Sequence, residues 1–182
     1  MNNFRYSSTR DKKGFTLLEM IVVIVLIGFL GLIILDRVWK FRVYAEEAAV
    51  TSIVGNIRSA IGLEVARLAV KGKARNIAYL KNTNPMKLLA QKPNNYLGEV
   101  TDISQLDDKG VWYFNDHEHT LNYVVNYTES FISNVKGLKR TRHRLKIVYT
   151  DNNNNNRFDK NIDSINGLDL VALEPYRWLV KK

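Results

Sequence analysis

Phe15-Thr16-Leu17-Leu18-Glu19-Met20-Ile21-Val22-Val23-Ile24-Val25-Leu26-Ile27-Gly28-Phe29-Leu30-Gly31-Leu32-Ile33-Ile34-Leu35 decides the architecture of this chain. From Met20 to Leu35 all sixteen residues are apolar or glycine. The 21 residues from Phe15 to Leu35 make an α-helix about 31 Å long at about 1.5 Å per residue, enough to cross the hydrocarbon core of a bilayer. The residues before it, 1–14, are polar and carry Arg5, Arg10, Lys12 and Lys13 against Asp11, a net side-chain charge of +3 (four minus one). Such a basic flank is kept on the cytoplasmic side, so everything after Leu35 is expected to face outward.

A cleaved secretory signal does not fit. The apolar run exceeds the usual hydrophobic region, and no small-x-small cleavage site separates Leu35 from Asp36-Arg37. A plain membrane anchor accounts for the length but not for Glu19, about one turn inside the span. A carboxylate in a membrane helix costs about 3 kcal/mol near the centre and less near the edge. An anchor gains nothing from that cost, so Glu19 is read as functional.

Lys12-Lys13-Gly14-Phe15-Thr16-Leu17-Leu18-Glu19 resembles the class III leader junction of type IV pilins and type II secretion pseudopilins. The resemblance covers roughly residues 12–40. It implies cleavage between Gly14 and Phe15 by prepilin peptidase on the cytoplasmic side, then N-methylation of Phe15. It also implies that Glu19 pairs with the Phe15 amine of a neighbouring pilin or pseudopilin subunit at an inner-membrane assembly platform, with Thr16 a second assembly residue or a hydroxyl bonded back to a helix carbonyl. The physics agrees: unpaired charges in low dielectric each cost several kcal/mol, and pairing recovers part of that. Gly14 offers a peptidase no side chain. Many such proteins carry a helix-kinking proline near the end of the span; here Asp36 stands in that region and the first proline is Pro85. Gly28 and Gly31 are the only weak points left in the apolar span. The missing proline and the absence of a C-terminal cysteine pair lean toward a minor subunit.

With the residue pattern that follows, the chain divides into a cleaved leader (1–14), a transmembrane and assembly helix (15–35), its amphipathic continuation (36–72) and a soluble domain (73–182) with the Asn-rich loop 151–163. The resemblance places the chain in the bacterial inner membrane, single-pass, with the C-terminal domain periplasmic or extracellular and later part of a filament.

Beyond Asp36 the helical pattern continues. Val43, Val50, Ile53, Val54, Ile57, Ala60, Ile61, Val65 and Leu68 recur at three- and four-residue spacing, with Arg42, Glu46, Glu47, Asn56, Arg58 and Arg67 between them. One helix from Phe15 to about Ala69 is ~80 Å long. Lys71-Gly72-Lys73 ends it. Asn84-Pro85 opens a short helix. Strands are expected at Val111–Phe114, Leu121–Val125, Leu145–Tyr149 and Leu168–Leu173, the first two as a hairpin. The fold class is α+β, a long helix laid on a small antiparallel sheet.

Three polar clusters carry further expectations. In the Asn-rich loop 151–163, Asp151, Asn153, Asn155 and Asp159 alternate like calcium ligands, although Asn156 replaces the turn glycine and Ile162 occupies the final ligand position. The alternative is a polar turn. Asp116-His117-Glu118-His119 has the spacing of a two-imidazole metal site on a strand, or is the tip of the hairpin. In the basic strand 139–146, Arg140, Arg142, Arg144 and Lys146 alternate with Thr141, His143 and Leu145. In a strand they share one cationic face, able to hold nucleic-acid phosphates, anionic lipid or an acidic neighbour. No aromatics interleave there for base stacking, so nucleic acid is the less favoured partner.

The rest is exclusion. Lys and Arg total 27 against 18 Asp and Glu, a formal charge of +9, and there is no cysteine. That removes disulfides, thiolate metal sites and thiol nucleophiles. Three histidines and no nucleophile elbow leave no catalytic constellation, so the chain is read as a structural subunit rather than an enzyme.

Overall fold

The computed structural model describes residues 14–102 and 106–179. Helix α1 runs Leu17–Val70. The chain forms two compact units, one through Phe41 and one from Arg42 onward. In the first unit, the α1 residues from Leu17 to Leu35 are exposed, apart from half-buried Gly31 and Asp36 beyond them, which is not described at the side-chain level. A surface this apolar is incompatible with water as its only surroundings, and α1 is the one helix among the described residues long and apolar enough to cross a membrane. The leader expected over 1–14 lies, except for Gly14, outside the described residues.

The second unit is built on the helical stripe read from the sequence. Val43, Val50, Val54, Ile57, Ile61 and Leu68 of α1 are all buried, at spacings that return to one face of a 3.6-residue helix. Ile53 and Val65 flank them, partly buried. The helix ends where Gly72 takes φ +66°. The Lys73 amide donates to the Leu68 carbonyl (2.8 Å) and the Gly72 amide to that of Ala69 (3.0 Å), a Schellman closure that needs a residue free to adopt a left-handed conformation. Two 3-10 helices follow, Ala74–Asn82 and Pro85–Leu88. The second is capped as expected, Asn84 Oδ1 accepting from the Met86 amide at 3.0 Å. The first was not foreseen.

Seven strands follow: β1 (Tyr96–Val100), β2 (Val111–Asn115), β3 (Thr120–Val124), β4 (Phe131–Ser133), β5 (Arg140–Thr150), β6 (Ser164–Ala172) and β7 (Tyr176–Trp178). Five form one sheet in the order β1-β2-β3-β5-β6, and β4 pairs with β7 in a separate two-stranded sheet. The β2–β3 hairpin exists in the expected place, Val111 opposite Val124 and Asn115 opposite Thr120. The α+β class and the helix-on-sheet arrangement are those read from the sequence. The sheet is mixed rather than wholly antiparallel, because edge strand β1 pairs parallel to β2 with an irregularity between Tyr96 and Glu99. Nothing local in a five-residue strand sets its direction; the connection and the partner do.

Trp112, Phe114, Leu121, Tyr123, Leu145, Ile147, Leu168 and Leu170 join the helix stripe in one core. Each fully buried aliphatic or aromatic side chain there contributes about 1.5–3 kcal/mol.

Candidate functional site

At the N-terminal junction Gly14, Phe15 and Thr16 precede the helix, and all three are exposed. A Cβ added at Gly14 meets nothing within 4 Å, so no packing inside this chain demands glycine there. Phe15 is 76% exposed. Thr16 is the helix N-cap: the Glu19 amide donates to its Oγ1 at 3.2 Å, and the Met20 amide to its carbonyl at 3.1 Å. Thr16-Leu17-Leu18-Glu19 is thus a threonine three residues ahead of a glutamate, the sequence form of a capping box. The hydroxyl accepts from a free first-turn amide rather than bonding back to a carbonyl, the role a threonine takes within a membrane helix. Glu19 stands in the first turn, where the helix dipole favours a negative charge.

In loop 151–163 two of the four expected calcium residues, Asn153 and Asn155, bring their side chains to a third, Asp159. Asp159 Oδ2 accepts from Asn153 Nδ2 (2.8 Å) and Asn155 Nδ2 (2.6 Å). Those two amides, Asn153 first, hold the Asp159 carboxyl below the usual carboxylate range. Asp151 gathers the backbone: its Oδ1 accepts from the amides of Asn153 (3.2 Å) and Asn155 (3.3 Å), and its Oδ2 from that of Asn156 (2.7 Å). Asp163, close behind the four expected ligands, closes the base by accepting from the amides of Asn152 (3.0 Å) and Asp159 (2.7 Å). Asn154 and Asn156 take positive φ, a conformation asparagine tolerates. In this arrangement the Asn153 and Asn155 side-chain oxygens accept from backbone amides, so a cation seated against Asp159 requires both side-chain amides to turn over. Among the described residues no three Asp, Glu, His or Cys side chains are grouped to hold a metal.

Asp116-His117-Glu118-His119 is the exposed turn between β2 and β3. His119 has φ 51°, so the two imidazoles do not alternate along a strand.

The basic strand keeps its alternation but is not a free cationic face. Thr141, His143 and Leu145 are buried, and so is Arg140, at 8% exposure. Arg140 Nη1 donates to the Leu138 carbonyl at 3.2 Å. Arg142 forms a two-pronged ion pair with Glu174 and reaches Glu118 Oε2 at 3.2 Å. Arg144 Nη2 donates to the Glu118 carbonyl at 2.8 Å. Two carboxylates therefore stand among the guanidinium groups, and the field that a polyanion would meet is correspondingly reduced.

Two buried polar groups had no sequence signal. Glu46 of α1, 7% exposed, accepts from Tyr123 Oη (2.9 Å) and from the amides of Asn126 (2.6 Å) and Tyr127 (3.1 Å). Burial, then the Glu46 charge, raises the Tyr123 phenol well above its ordinary range. His143 lies against Trp112 and Tyr176, its Nε2 3.1 Å from Tyr176 Oη. Burial, then the Arg58 charge, lowers its pKa to about 4.

No curated protein and no solved structure matches the chain. One family model does match, over residues 9–35. That stretch holds the basic pair, Gly14, Phe15, the Thr16 cap, Glu19 and the whole exposed apolar span. Through it the chain carries the prokaryotic N-terminal methylation motif, the class III leader of type IV pilins and pseudopilins.

Proposed function

We propose that the protein is a prepilin-like subunit, cut after Gly14 and methylated on the Phe15 amine, which enters a type IV pilus or a secretion pseudopilus as a structural, minor component. The observation that carries this reading is the match of residues 9–35 to the methylation motif. Exposure of Gly14 and Phe15 supports access by a prepilin peptidase. An apolar surface from Leu17 to Leu35 with one carboxylate in it supports a bilayer anchor that later exchanges lipid for neighbouring subunits at an assembly platform. The second unit then lies on the outer side of the inner membrane.

Glu19 acts in this reading as the partner of a neighbour's Phe15 amine. Glu19→Ala in the full chain tests it: membrane insertion and cleavage persist while incorporation into filaments is lost. Normal incorporation of that variant overturns the assembly role. The DNA- or surface-binding alternative through strand 139–146 is the weaker one, given the Glu118 and Glu174 pairing of Arg142.

For loop 151–163 we propose calcium as a ligand, held by Asp151, Asn153, Asn155 and Asp159. Two carboxylates and two side-chain amides on one short loop support it: both asparagines already lie against Asp159 and, once their amides turn over, present the oxygens that suit a hard cation. Calorimetric titration of the detergent-solubilised chain with calcium chloride gives a saturable one-to-one heat that Asp159→Ala abolishes. Absence of heat leaves the loop a polar turn closed by Asp151 and Asp163.

A further inference from the structure

The methylation motif ends at residue 35, and the next turn and a half of α1 differs in kind. Arg37, Val38, Trp39, Lys40 and Phe41 all lie in the first compact unit. Trp39 is 50% and Phe41 67% exposed; Arg37 is exposed and Lys40 half-buried. Successive helical residues are about 100° apart, so these five pass once around the axis. Within that ring Arg37, Lys40 and Phe41, three and four residues apart, share one face, and Trp39 stands on the opposite side.

The position of the ring matters. Taking Phe15 as the start of the span, Arg37 lies about 33 Å and Phe41 about 39 Å along the axis. A hydrocarbon core of about 30 Å within a bilayer of about 40–45 Å leaves a far headgroup layer about 5–8 Å deep, which holds Arg37 and, at the usual tilt of about 20°, Phe41 at its outer edge. This placement rests on the reading of residues 15–35 as a membrane span. Large aromatics are at home there, the ring in the acyl boundary and water nearby. The cations are not explained by topology, because Lys and Arg are favoured on the cytoplasmic side and these stand on the other. Phosphate explains them: a guanidinium matches it in two-pronged geometry, and an ammonium serves as a point charge.

We propose that residues 37–41 are a binding collar for anionic phospholipid headgroups of the outer leaflet. Arg37 and Lys40 take the phosphates, and Trp39 and Phe41 pack among the headgroups beside them. Cleavage after Gly14 removes Arg5, Arg10, Lys12 and Lys13, and with them the electrostatic hold on the cytoplasmic face. The collar then fixes the depth of the processed subunit until neighbours displace the lipid.

The full chain in vesicles tests this. Trp112 and Trp178 are buried, so the emission removed by Trp39→Phe isolates the Trp39 signal. Vesicles contain phosphatidylcholine and phosphatidylglycerol, with a headgroup quencher on one lipid or the other. The collar gives roughly fivefold or more preferential quenching by labelled phosphatidylglycerol, scaled from the attraction of a single basic residue to an anionic leaflet. Arg37→Gln with Lys40→Gln removes the preference and leaves Trp39 at headgroup depth. Equal quenching by both lipids in the unaltered chain overturns the proposal. Because the chain has no cysteine, Leu26→Cys gives a unique label that reports the span by itself. A lipid-buried label with Trp39 open to aqueous quenchers sinks the collar and spares the span; an aqueous label sinks both. Shielding of Trp39 that arises only in assembled filaments, whatever the lipid, assigns the ring to a neighbouring subunit and also overturns the proposal.

Discussion

Tyr123 on β3 donates a 2.9 Å hydrogen bond to Glu46 on α1 across 77 residues of sequence. The same carboxylate accepts the Asn126 and Tyr127 amides, so one buried charge ties the helix to the end of β3 and the chain beyond it. A buried carboxylate persists when donors surround it, and its removal leaves all three donors without a partner.

Glu46→Ala is therefore expected to destabilise the second unit by about 3 kcal/mol, and Tyr123→Phe by about 1–2 kcal/mol. Urea unfolding of the detergent-solubilised chain measures both. The double variant falls short of their sum by about 1 kcal/mol, because the two share one interaction. Additive losses would separate the residues.

His143 sets a pH dependence. Its pKa in the folded chain is about 4 against about 6.5 when exposed. The unfolded chain therefore binds the extra proton first as pH falls, and stability declines between about pH 6.5 and pH 4. The loss over that window is on the order of 3 kcal/mol. Replacing His143 with Gln flattens this part of the profile whatever it does to stability at neutral pH. An unchanged slope places the titration elsewhere.

Thr16→Ala removes the cap on α1 and weakens its first turn by about 1 kcal/mol. Faster amide exchange at Leu18 and Glu19 in micelles shows it, with exchange at Ile27 unaltered. Uniform exchange along the span would mean that Thr16 is not the cap.

Gly72→Ala strains the left-handed closure of α1 and costs about 1 kcal/mol. Nothing lies within 4 Å of the added Cβ, so the loss comes from the backbone alone. Gly62→Ala, also unobstructed but inside the helix, moves stability the opposite way. Melting temperatures of the two variants on either side of the parent check the contrast.

The features legible in the sequence were those with a local cause. The stripe from Val43 to Leu68 shows because a helix repeats every 3.6 residues, and the β2–β3 hairpin because two apolar runs flank one polar turn. The Asn84 cap and the Gly72 closure likewise lie within a few residues of what they satisfy. Long-range features stayed hidden. Nothing near Glu46 in sequence points to Tyr123, and Arg142 reads as a free cation until Glu174, 32 residues later, is folded against it. The parallel direction of β1 and the three-residue strands β4 and β7 have too little pattern of their own. Thr16 is different: a threonine three residues ahead of a glutamate is a local signal, and it caps the helix although it stands at the start of an apolar span.

Processing at the junction is the central claim, and intact-mass spectrometry of the chain co-expressed with a prepilin peptidase tests it most directly. The account predicts a chain that begins at Phe15 and carries one added methyl group on its α-amine. A chain still beginning at Met1, under conditions where a control prepilin is cut, would contradict it, as would a cut at any other bond.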